Sequence, residues 1–222
     1  MTMLSDVAPI YRPPLEPYVS ILHRDAGFLV LDKPSGLLSV PGRHPALSDS
    51  LATRVQEQFP KAQMINRLDK ETSGLVLMSL NRQAHAAIAS QFERRTVTKS
   101  YVAVVWGCVE DDEGLIDLPL AIDPDNKPRH RVDHDHGKRA QTRWQVMDRG
   151  EHKTRLKLFP LTGRTHQLRV HMKALGHAIL GDEFYAEGEA LTAAKRLLLH
   201  AEELAFQHPD GRSVSFTAPC PF

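Results

Sequence analysis

The segment from residue 66 to residue 74 reads Asn-Arg-Leu-Asp-Lys-Glu-Thr-Ser-Gly. It lies between a helix-like segment and an apolar strand-like run. Side chains alternate between faces in extended backbone, so Arg67 and Asp69 would face one way and Leu68 the other. Leu68 would then anchor the segment in a core while Asp69 faces an open surface. Taken alone, the pattern favours an Asx-turn, because Asp followed by Thr, Ser and Gly is ordinary turn chemistry.

Length and composition fit a globular protein. The chain has 222 residues, of which 41% are hydrophobic and 25% are charged, so it can bury a substantial core. No apolar run approaches the roughly 18 residues that a membrane span needs, and the first residues lack the basic start and apolar core expected of a signal peptide. Cys108 and Cys220 have no metal or redox spacing, so we expect a reducing, cytoplasmic location.

Basic residues are clustered although the net charge is only +1. Three groups stand out: Lys127, Arg129, Arg131, Lys138 and Arg139; Arg94, Arg95 and Lys99; and Arg164, Arg169 and Lys173. Segregated clusters on a near-neutral chain suit a protein with one phosphate-facing side. A basic cluster is nevertheless more often plain solvated surface, so the pattern gains weight only if it can be tied to Asp69.

Hydrophobic periodicity predicts an α+β fold, with a mixed, mainly antiparallel central sheet and packed helices. Helices are predicted over 49–59 (capped by Ser48-Asp49), 82–94 and 165–175 (capped by Thr165 and stopped by Gly176). Strands are predicted over 18–22, 28–32, 75–80, from 97 onward, 139–147, 154–161, 198–206 and 213–217. The proline-rich residues 1–17 are expected to form an extended lead-in, and 18–222 a single domain without a separate RNA-binding module.

Five blocks in order give the chain a family resemblance. The blocks are Lys33-Pro34-Ser35-Gly36 with its continuation to Arg43; Arg67-Leu68-Asp69-x-x-Thr72-Ser73-Gly74; Lys99-Ser100-Tyr101; Gly163-Arg164-Thr165-His166-Gln167-Leu168-Arg169 with the following His171, Leu175-Gly176-His177 and Gly181-Asp182; and Arg196-Leu197-Leu198-Leu199-His200-Ala201. Together they resemble the RluA family of RNA pseudouridine synthases, and they cover about residues 18–219. The early block resembles the RluA-subfamily form. The departure is Asn66, where the family usually has histidine. Asn replaces one imidazole hydrogen bond but cannot titrate, and the resemblance gives this position no proton-transfer role.

The resemblance implies the catalytic domain of a pseudouridine synthase, which breaks the N1–C1′ bond of a uridine, turns the base and rejoins it through C5. No atoms or electrons are exchanged with another molecule, so we expect no cofactor and no metal. The sequence has neither a P-loop nor a G-x-G-x-x-G motif. A histidine-based metal site at His130, His134 and His136 is less favoured than a phosphate-tracking role for that basic loop.

Three residues take the catalytic roles that the resemblance implies. Asp69 acts at the ribose, either as the nucleophile at C1′ or as the base that removes a ribose proton, and the sequence leaves both routes open. Arg164 is the expected ion-pair partner of Asp69. Tyr101 stacks on the uracil and can shuttle the proton that leaves C5.

The resemblance also implies that the target uridine is flipped out of the RNA. The expected substrate contacts are Arg67, Leu198, Lys99, Thr72, His166 and Arg169. Arg67 would fill the vacated space or grip neighbouring nucleotides, and Leu198 would line the base pocket. The expected partner is a stem-loop of 23S rRNA, a tRNA anticodon loop, or both, bound by a monomer with no membrane involved.

Two alternatives remain open. A ribosyl or glycoside hydrolase would use Asp69 and Glu71 as a carboxylate pair, and it would release free base. A non-catalytic RNA-binding protein of the same fold would be expected to have lost Asp69, Tyr101 or Arg164, and all three are present.

Overall fold

The computed structural model describes residues 9–222, which form two compact units. The first unit ends at Ala89, and the second runs Ser90–Phe222. The single domain expected over 18–222 stays a prediction. Of the expected lead-in, residues 1–8 lie outside the described part of the chain.

Residues 9–17 contain neither helix nor strand, yet they are fastened to the first unit. The Tyr11 hydroxyl donates to the carbonyl of Asp49 at 3.1 Å and accepts from the amide of Leu38 at 2.9 Å. The carbonyl of Pro14 accepts from the Arg54 guanidinium at 2.9 Å. Residues 9–17 therefore make polar contacts to the rest of the first unit.

The first unit is built on one buried strand. Its elements are β1 (Ile21–Arg24), β2 (Phe28–Lys33), a 3-10 helix (Pro45–Leu47), α1 (Leu51–Gln58), β3 (Gln63–Met64), β4 (Ser73–Ser79) and α2 (Arg82–Glu93), within which the unit ends. Both β2 and β3 pair antiparallel with β4, and β1 pairs antiparallel with β2. All seven residues of β4 are buried. The register places Lys33 opposite Gly74, at the end of β4 that follows the Asp69 segment.

Helix α1 begins at Ser50 and not at the predicted cap, Ser48-Asp49. The Ser50 hydroxyl accepts from the amide of Thr53, and the Thr53 hydroxyl accepts from the amide of Ser50, which is a capping box. Asp49 instead binds the buried Arg54 through two hydrogen bonds of 2.7 Å. The predicted cap was wrong because the Asp49 carboxylate is needed to neutralise a buried guanidinium.

The second unit is richer in strands. Its elements are β5 (Thr98–Trp106), β6 (Glu113–Asp117), β7 (Leu120–Ile122), β8 (His130–Val132), β9 (Gln141–Arg149), β10 (Lys153–Pro160), α3 (Gln167–Ala174), α4 (Gly188–Thr192), β11 (Leu199–Gln207) and β12 (Ser213–Thr217). Strand β5 is central, with β11 on one side and β10, β9 and β6 following on the other. Strand β12 pairs with β11, and β7 and β8 form a separate small sheet.

Helix α3 covers the sheet of the second unit. Leu168 and Met172 of the helix join a buried cluster with Leu156, Leu158 and other sheet residues. The helix gives way to a turn at Gly176, whose φ of 95° is readily adopted only by glycine. The predicted stop is therefore confirmed. The strand pairings within each unit are antiparallel, and the predicted α+β fold class is confirmed.

Candidate active site

The Asp69 segment alternates as its sequence predicts. Leu68 is 8% exposed, whereas Arg67 is exposed and Asp69 is half-buried. The amide of Thr72 donates to the main-chain carbonyl of Asp69 at 3.1 Å, which closes a turn directly after the carboxylate. Thr72, an expected substrate contact, is itself buried in this turn.

Ser39 fixes the main chain next to Asp69. Its hydroxyl donates to the carbonyl of Leu68 at 2.7 Å and accepts from the amide of the same residue at 3.1 Å. Both main-chain polar groups of Leu68 are thus satisfied by one buried side chain. The anchor that the apolar Leu68 side chain provides is reinforced by two hydrogen bonds.

Lys33 fixes the other side of the segment. Its side chain is completely buried, and its ammonium donates to the carbonyls of Pro34, Leu37 and Lys70 at 2.9, 2.7 and 3.0 Å. An ammonium has three protons, and these three bonds use all of them. The amide of Gly36 donates to the carbonyl of Lys70 as well, at 2.9 Å. Hydrogen bonds therefore connect the loop after β2 to Lys70, the residue that follows Asp69.

Sequence reasoning placed Lys33 and Ser39 in a family block without giving either residue a role. A signal was nevertheless present, because Lys33 ends the apolar run Phe28–Lys33. A lysine in such a run is fully buried only if its ammonium is paired or hydrogen-bonded.

The Glu71 carboxylate is already engaged in local contacts. It lies 2.9 Å from the Lys70 ammonium, and the Ser35 hydroxyl donates to its Oε2 at 3.4 Å. A hydrolase would need this carboxylate across a scissile bond from Asp69. Its contacts tie it to the loop instead, which disfavours the hydrolase alternative.

Asn66 has a structural role. Its side-chain oxygen accepts from the amide of Leu77 in β4 at 2.7 Å. The position supplies one hydrogen-bond acceptor to the Leu77 amide, and an amide oxygen can take this role as well as an imidazole nitrogen can. The departure from histidine therefore has a direct structural account.

Tyr101 and Leu198 lie beside the same core. Both are partly buried and pack against the cluster that holds Leu156 and Leu168. Tyr101 sits on the central strand β5, with Leu158 of β10 and Ala201 of β11 as its register partners. Strands on both sides therefore fix the main chain of Tyr101, and its ring packs against the core.

Lys99 lies against the loop that carries Arg164. A β-carbon added to Gly163 would be only 3.5 Å from the Lys99 ammonium nitrogen. Burial lowers the pKa of Lys99, and the nearby Arg95 lowers it further. The structure thus places the predicted site residue Lys99 beside Gly163, which directly precedes Arg164.

Arg164 is held by main-chain and side-chain contacts. Its Nε donates to the carbonyl of Arg139 at 3.1 Å, and its amide donates to the Gln167 side-chain oxygen at 3.0 Å. The expected ion pair with Asp69 stays a prediction. The predicted cap Thr165 was wrong, because His166 occupies the N-cap position with a φ of 56° and makes no side-chain cap bond. The left-handed conformation at His166 redirects the chain, and Gln167 takes over the role of binding the turn.

His166 belongs to an aromatic group. Its Nδ1 lies 2.7 Å from the Tyr185 hydroxyl, which also accepts from the amide of His130 at 2.8 Å. The His166 ring centroid lies 5.6 Å from that of Phe184 and 5.4 Å from that of His130. His166, an expected substrate contact, is therefore a half-buried ring with a fixed orientation.

Arg169 is buried, which changes the role expected for it. It is 4% exposed, and its guanidinium binds the completely buried Asp182 through hydrogen bonds of 2.8 and 2.7 Å. The guanidinium carbon also lies 5.0 Å from the ring centroid of Phe184 and 5.1 Å from that of Tyr185. This geometry favours a role in fixing α3 rather than the substrate contact that the resemblance implied.

The basic loop carries acids as well as bases. Arg131 lies 3.8 Å from Asp123 and 3.7 Å from Asp133. A hydrogen bond from the main chain at His136 lowers the pKa of Asp133. Among the described residues, Asp133, Asp135 and His136 are close enough to share a cation, but exposed carboxylates commonly cluster without one. The loop is less uniformly basic than its sequence indicates.

Comparison with known proteins assigns these features to a family. The family model described as RNA pseudouridylate synthase matches residues 27–174, which include the Asp69 segment, Tyr101 and the Arg164 turn. The chain belongs to this family. The family, and with it the enzyme class predicted from the five sequence blocks, is confirmed.

Curated relatives and solved structures agree. The chain is 51% identical over 218 residues to the dual-specificity RNA pseudouridine synthase RluA of Vibrio vulnificus, covering 96% of this chain and 87% of that one. It is 50% identical over 214 residues to the protein of the same name from Escherichia coli K12, covering 96% and 98%. Human RNA pseudouridylate synthase domain containing 1 is similar in structure, with a TM-score of 0.80, 29% identity and coverage of 96% and 87%.

These findings confirm the predicted activity at the level of the family, namely isomerisation of uridine to pseudouridine in RNA. Within residues 9–222, no helix combines the length and the apolar character needed to span a bilayer.

Proposed function

We propose that this enzyme isomerises a specific uridine in stem-loops of both 23S rRNA and tRNA. The observation that carries this proposal is the similarity to two bacterial relatives that are named dual-specificity enzymes. The identity is 50–51%, and the match covers 96% of the chain. A stem-loop supports the proposal because it offers a compact shape that a catalytic domain can recognise directly. We further propose that the enzyme acts as a monomer in the cytoplasm.

Asp69 is the proposed catalytic group at the ribose. The N1–C1′ bond breaks and a C5–C1′ bond forms, the proton on C5 is lost and N1 gains one, so the product has the same atoms as the substrate. The half-burial of Asp69 and the fixation of its neighbours by Lys33 and Ser39 support this role. Fixing the main chain on both sides of Asp69 helps to meet the requirement that reacting groups be positioned in advance.

Tyr101 and Leu198 are the proposed walls of the base pocket. Both side chains are partly buried against the core of the second unit, so each presents a fixed surface. An aromatic ring stacks on uracil, and a phenol hydroxyl also exchanges protons. Arg164 supplies the positive charge that keeps a catalytic carboxylate ionised.

The RNA contacts proposed outside this pocket are Arg67, Lys99 and His166. Arg67 is exposed beside Asp69, as a side chain that replaces a flipped base must be. Flipping a uridine out of its stack costs a few kcal/mol, and occupation of the gap by a long cation offsets part of that cost. Lys99 and the basic loop provide contacts to phosphates, which make RNA affinity fall with salt.

Tritium release from 5-tritiated uridine tests the proposal, with tRNA and 23S rRNA transcripts as separate substrates. We expect release from both RNAs by the unaltered enzyme and none by Asp69→Asn, which keeps shape but removes the charge. Release from only one RNA would refute dual specificity. Release that persists in the variant would refute the role of Asp69, and free uracil in place of pseudouridine would favour the hydrolase alternative.

A further inference from the structure

A closed set of hydrogen bonds lies beneath the turn that carries Arg164. Gln167, the first residue of α3, is 4% exposed. Its side-chain oxygen accepts from the Thr162 hydroxyl at 2.6 Å and from the amide of Arg164 at 3.0 Å. Its side-chain nitrogen donates to the carbonyl of Gln141 at 2.9 Å and to the Thr142 hydroxyl at 3.0 Å. All four hydrogen-bonding capacities of the amide are used.

The direction of each bond is fixed by counting donors. The carbonyl of Leu118 can only accept, so Nε2 of His171 carries a proton and donates to it at 3.1 Å. In a neutral ring Nδ1 then has no proton and accepts from the Thr142 hydroxyl 2.9 Å away, which itself accepts from the Gln167 side-chain nitrogen. His171 is completely buried. Of the two neutral tautomers, only the Nε2–H form satisfies both contacts.

The same set fastens the turn to strand β9. Gln141 and Thr142 open that strand, and the amide of Gln141 donates to the Thr162 hydroxyl at 2.9 Å. Arg164 is thereby held through its amide by Gln167, while its Nε reaches the carbonyl of Arg139 just ahead of the strand. The Gln167 bond thus fixes the main chain of Arg164 relative to β9, and the Arg139 bond fixes its side chain.

We infer that Gln167, Thr142 and His171 form a positioning relay that sets the main chain of Arg164 for the isomerisation. The inference rests on the proposed function, since it matters only if Arg164 takes part in the reaction. Gln167 is then a positioning residue that acts through Arg164. A buried hydrogen-bond network of this kind imposes one arrangement, because leaving some of its polar groups without a partner is costly.

The first experiment uses a matched pair at Thr142. Thr142→Val keeps the shape and removes the hydroxyl, whereas Thr142→Ser keeps the hydroxyl. We expect Thr142→Val to lower the single-turnover rate of tritium release about 10-fold or more, with RNA dissociation constants within about twofold, because small misplacements of a reacting group have effects of this size. Thr142→Ser should retain the rate. Equal rates in the two variants, or a loss confined to RNA affinity, would overturn the inference.

The second experiment links the relay to Arg164. Gln167→Met removes all four bonds with little change in volume. If Gln167 acts through Arg164, Gln167→Met should slow the unaltered enzyme about 10- to 100-fold yet add little to Arg164→Ala, so the two effects are not multiplicative. Multiplied losses would mean that Gln167 acts elsewhere and would refute the relay.

Failure of the proposed function has a different signature. Wild-type rates in Arg164→Ala would refute the role proposed for Arg164 itself. A slow Arg164→Ala combined with a normal Gln167→Met would refute only the positioning inference. If Gln167→Met does not fold, the Thr142 pair still decides.

Discussion

Two turns carry the residues proposed to act on the substrate, and they are held by different chemistry. The turn after Asp69 is held by a buried ammonium, that of Lys33, which binds three main-chain carbonyls. The turn around Arg164 is held by a neutral amide, that of Gln167, which binds hydroxyls and main-chain groups. One turn depends on a charge that makes three hydrogen bonds to main-chain carbonyls, and the other depends on a tautomer.

The difference teaches how each turn should fail. A buried charge is tightly bound to its partners, and its removal leaves desolvated carbonyls, so the expected loss is large and insensitive to mild acid. A neutral set has smaller individual bonds and fails when one member changes its protonation state. The predictions below separate these two kinds of failure.

Lys33→Met should have the largest effect. Three carbonyls would each lose a donor at about 1–2 kcal/mol, so we expect the free energy of unfolding to fall by roughly 3–6 kcal/mol. Denaturation in urea measures the loss. Amide hydrogen exchange should accelerate over residues 68–72 while remaining unchanged over 162–166. Lys61→Met is the matched control, because Lys61 is exposed, and an equal loss in both variants would contradict the role of Lys33.

Asp182→Asn tests the ion pair between Asp182 and Arg169 of α3. Like the ammonium of Lys33 at the first turn, the guanidinium of Arg169 is a buried charge. The variant leaves the buried Arg169 guanidinium without its carboxylate, and breaking such a pair costs about 3–5 kcal/mol of stability. Thermal unfolding measures the loss. Asp210→Asn is the control, because Asp210 forms a surface ion pair with Arg212, where a much smaller change is expected. A Tm for Asp182→Asn no lower than that of the control would show that the ion pair with Asp182 is not needed to hold Arg169.

Ser39→Ala should have an intermediate effect on the first turn. Both main-chain groups of Leu68 lose their partner, and we expect a loss of about 1–3 kcal/mol in unfolding free energy. The rate of tritium release should fall as well, since Leu68 directly precedes Asp69. Ser48→Ala, an exposed serine, provides the reference. Unchanged stability together with an unchanged rate would mean that the Leu68 side chain alone is a sufficient anchor.

The sequence was sufficient for those elements whose pattern is local. Helix α2 and strand β12 lie within one residue of their predicted bounds, because the period of apolar residues specifies them. The alternation around Leu68 was likewise readable from three residues. The short strands β3, β7 and β8 were missed, since two or three residues carry no period.

The fixation of the two turns was not readable in this way. Lys33 binds a carbonyl 37 positions away, and Gln167 binds groups 25 and 26 positions away. Such bonds depend on which strands become neighbours, and no pattern within a segment specifies that. The same holds for Arg169, whose burial against Asp182 is a property of the folded unit and not of its basic cluster.

His171→Gln should have the smallest effect, confined to acid. Burial lowers the pKa of His171 below its ordinary value of 6.5, although the carbonyl of Leu118 and the charge of Asp117 oppose that shift. Below pH 6.5 the unfolded chain therefore takes up a proton at this position that the folded chain does not. As the pH is lowered, the free energy of unfolding decreases until the pH reaches the lowered pKa of the folded state. Above about pH 7.5 both states are neutral and the contribution is constant.

Urea denaturation of the unaltered enzyme and of His171→Gln, between pH 5 and pH 8, measures this contribution as the difference between two slopes. The variant should be less sensitive to acid than the unaltered enzyme, and His136→Gln, at an exposed position, should keep the full sensitivity. Single-turnover rates should follow the same order, because a protonated His171 would donate from Nδ1 and take away the acceptor that orients the Thr142 hydroxyl. Parallel slopes for all three proteins would mean that the neutral tautomer is not what distinguishes the second turn from the first.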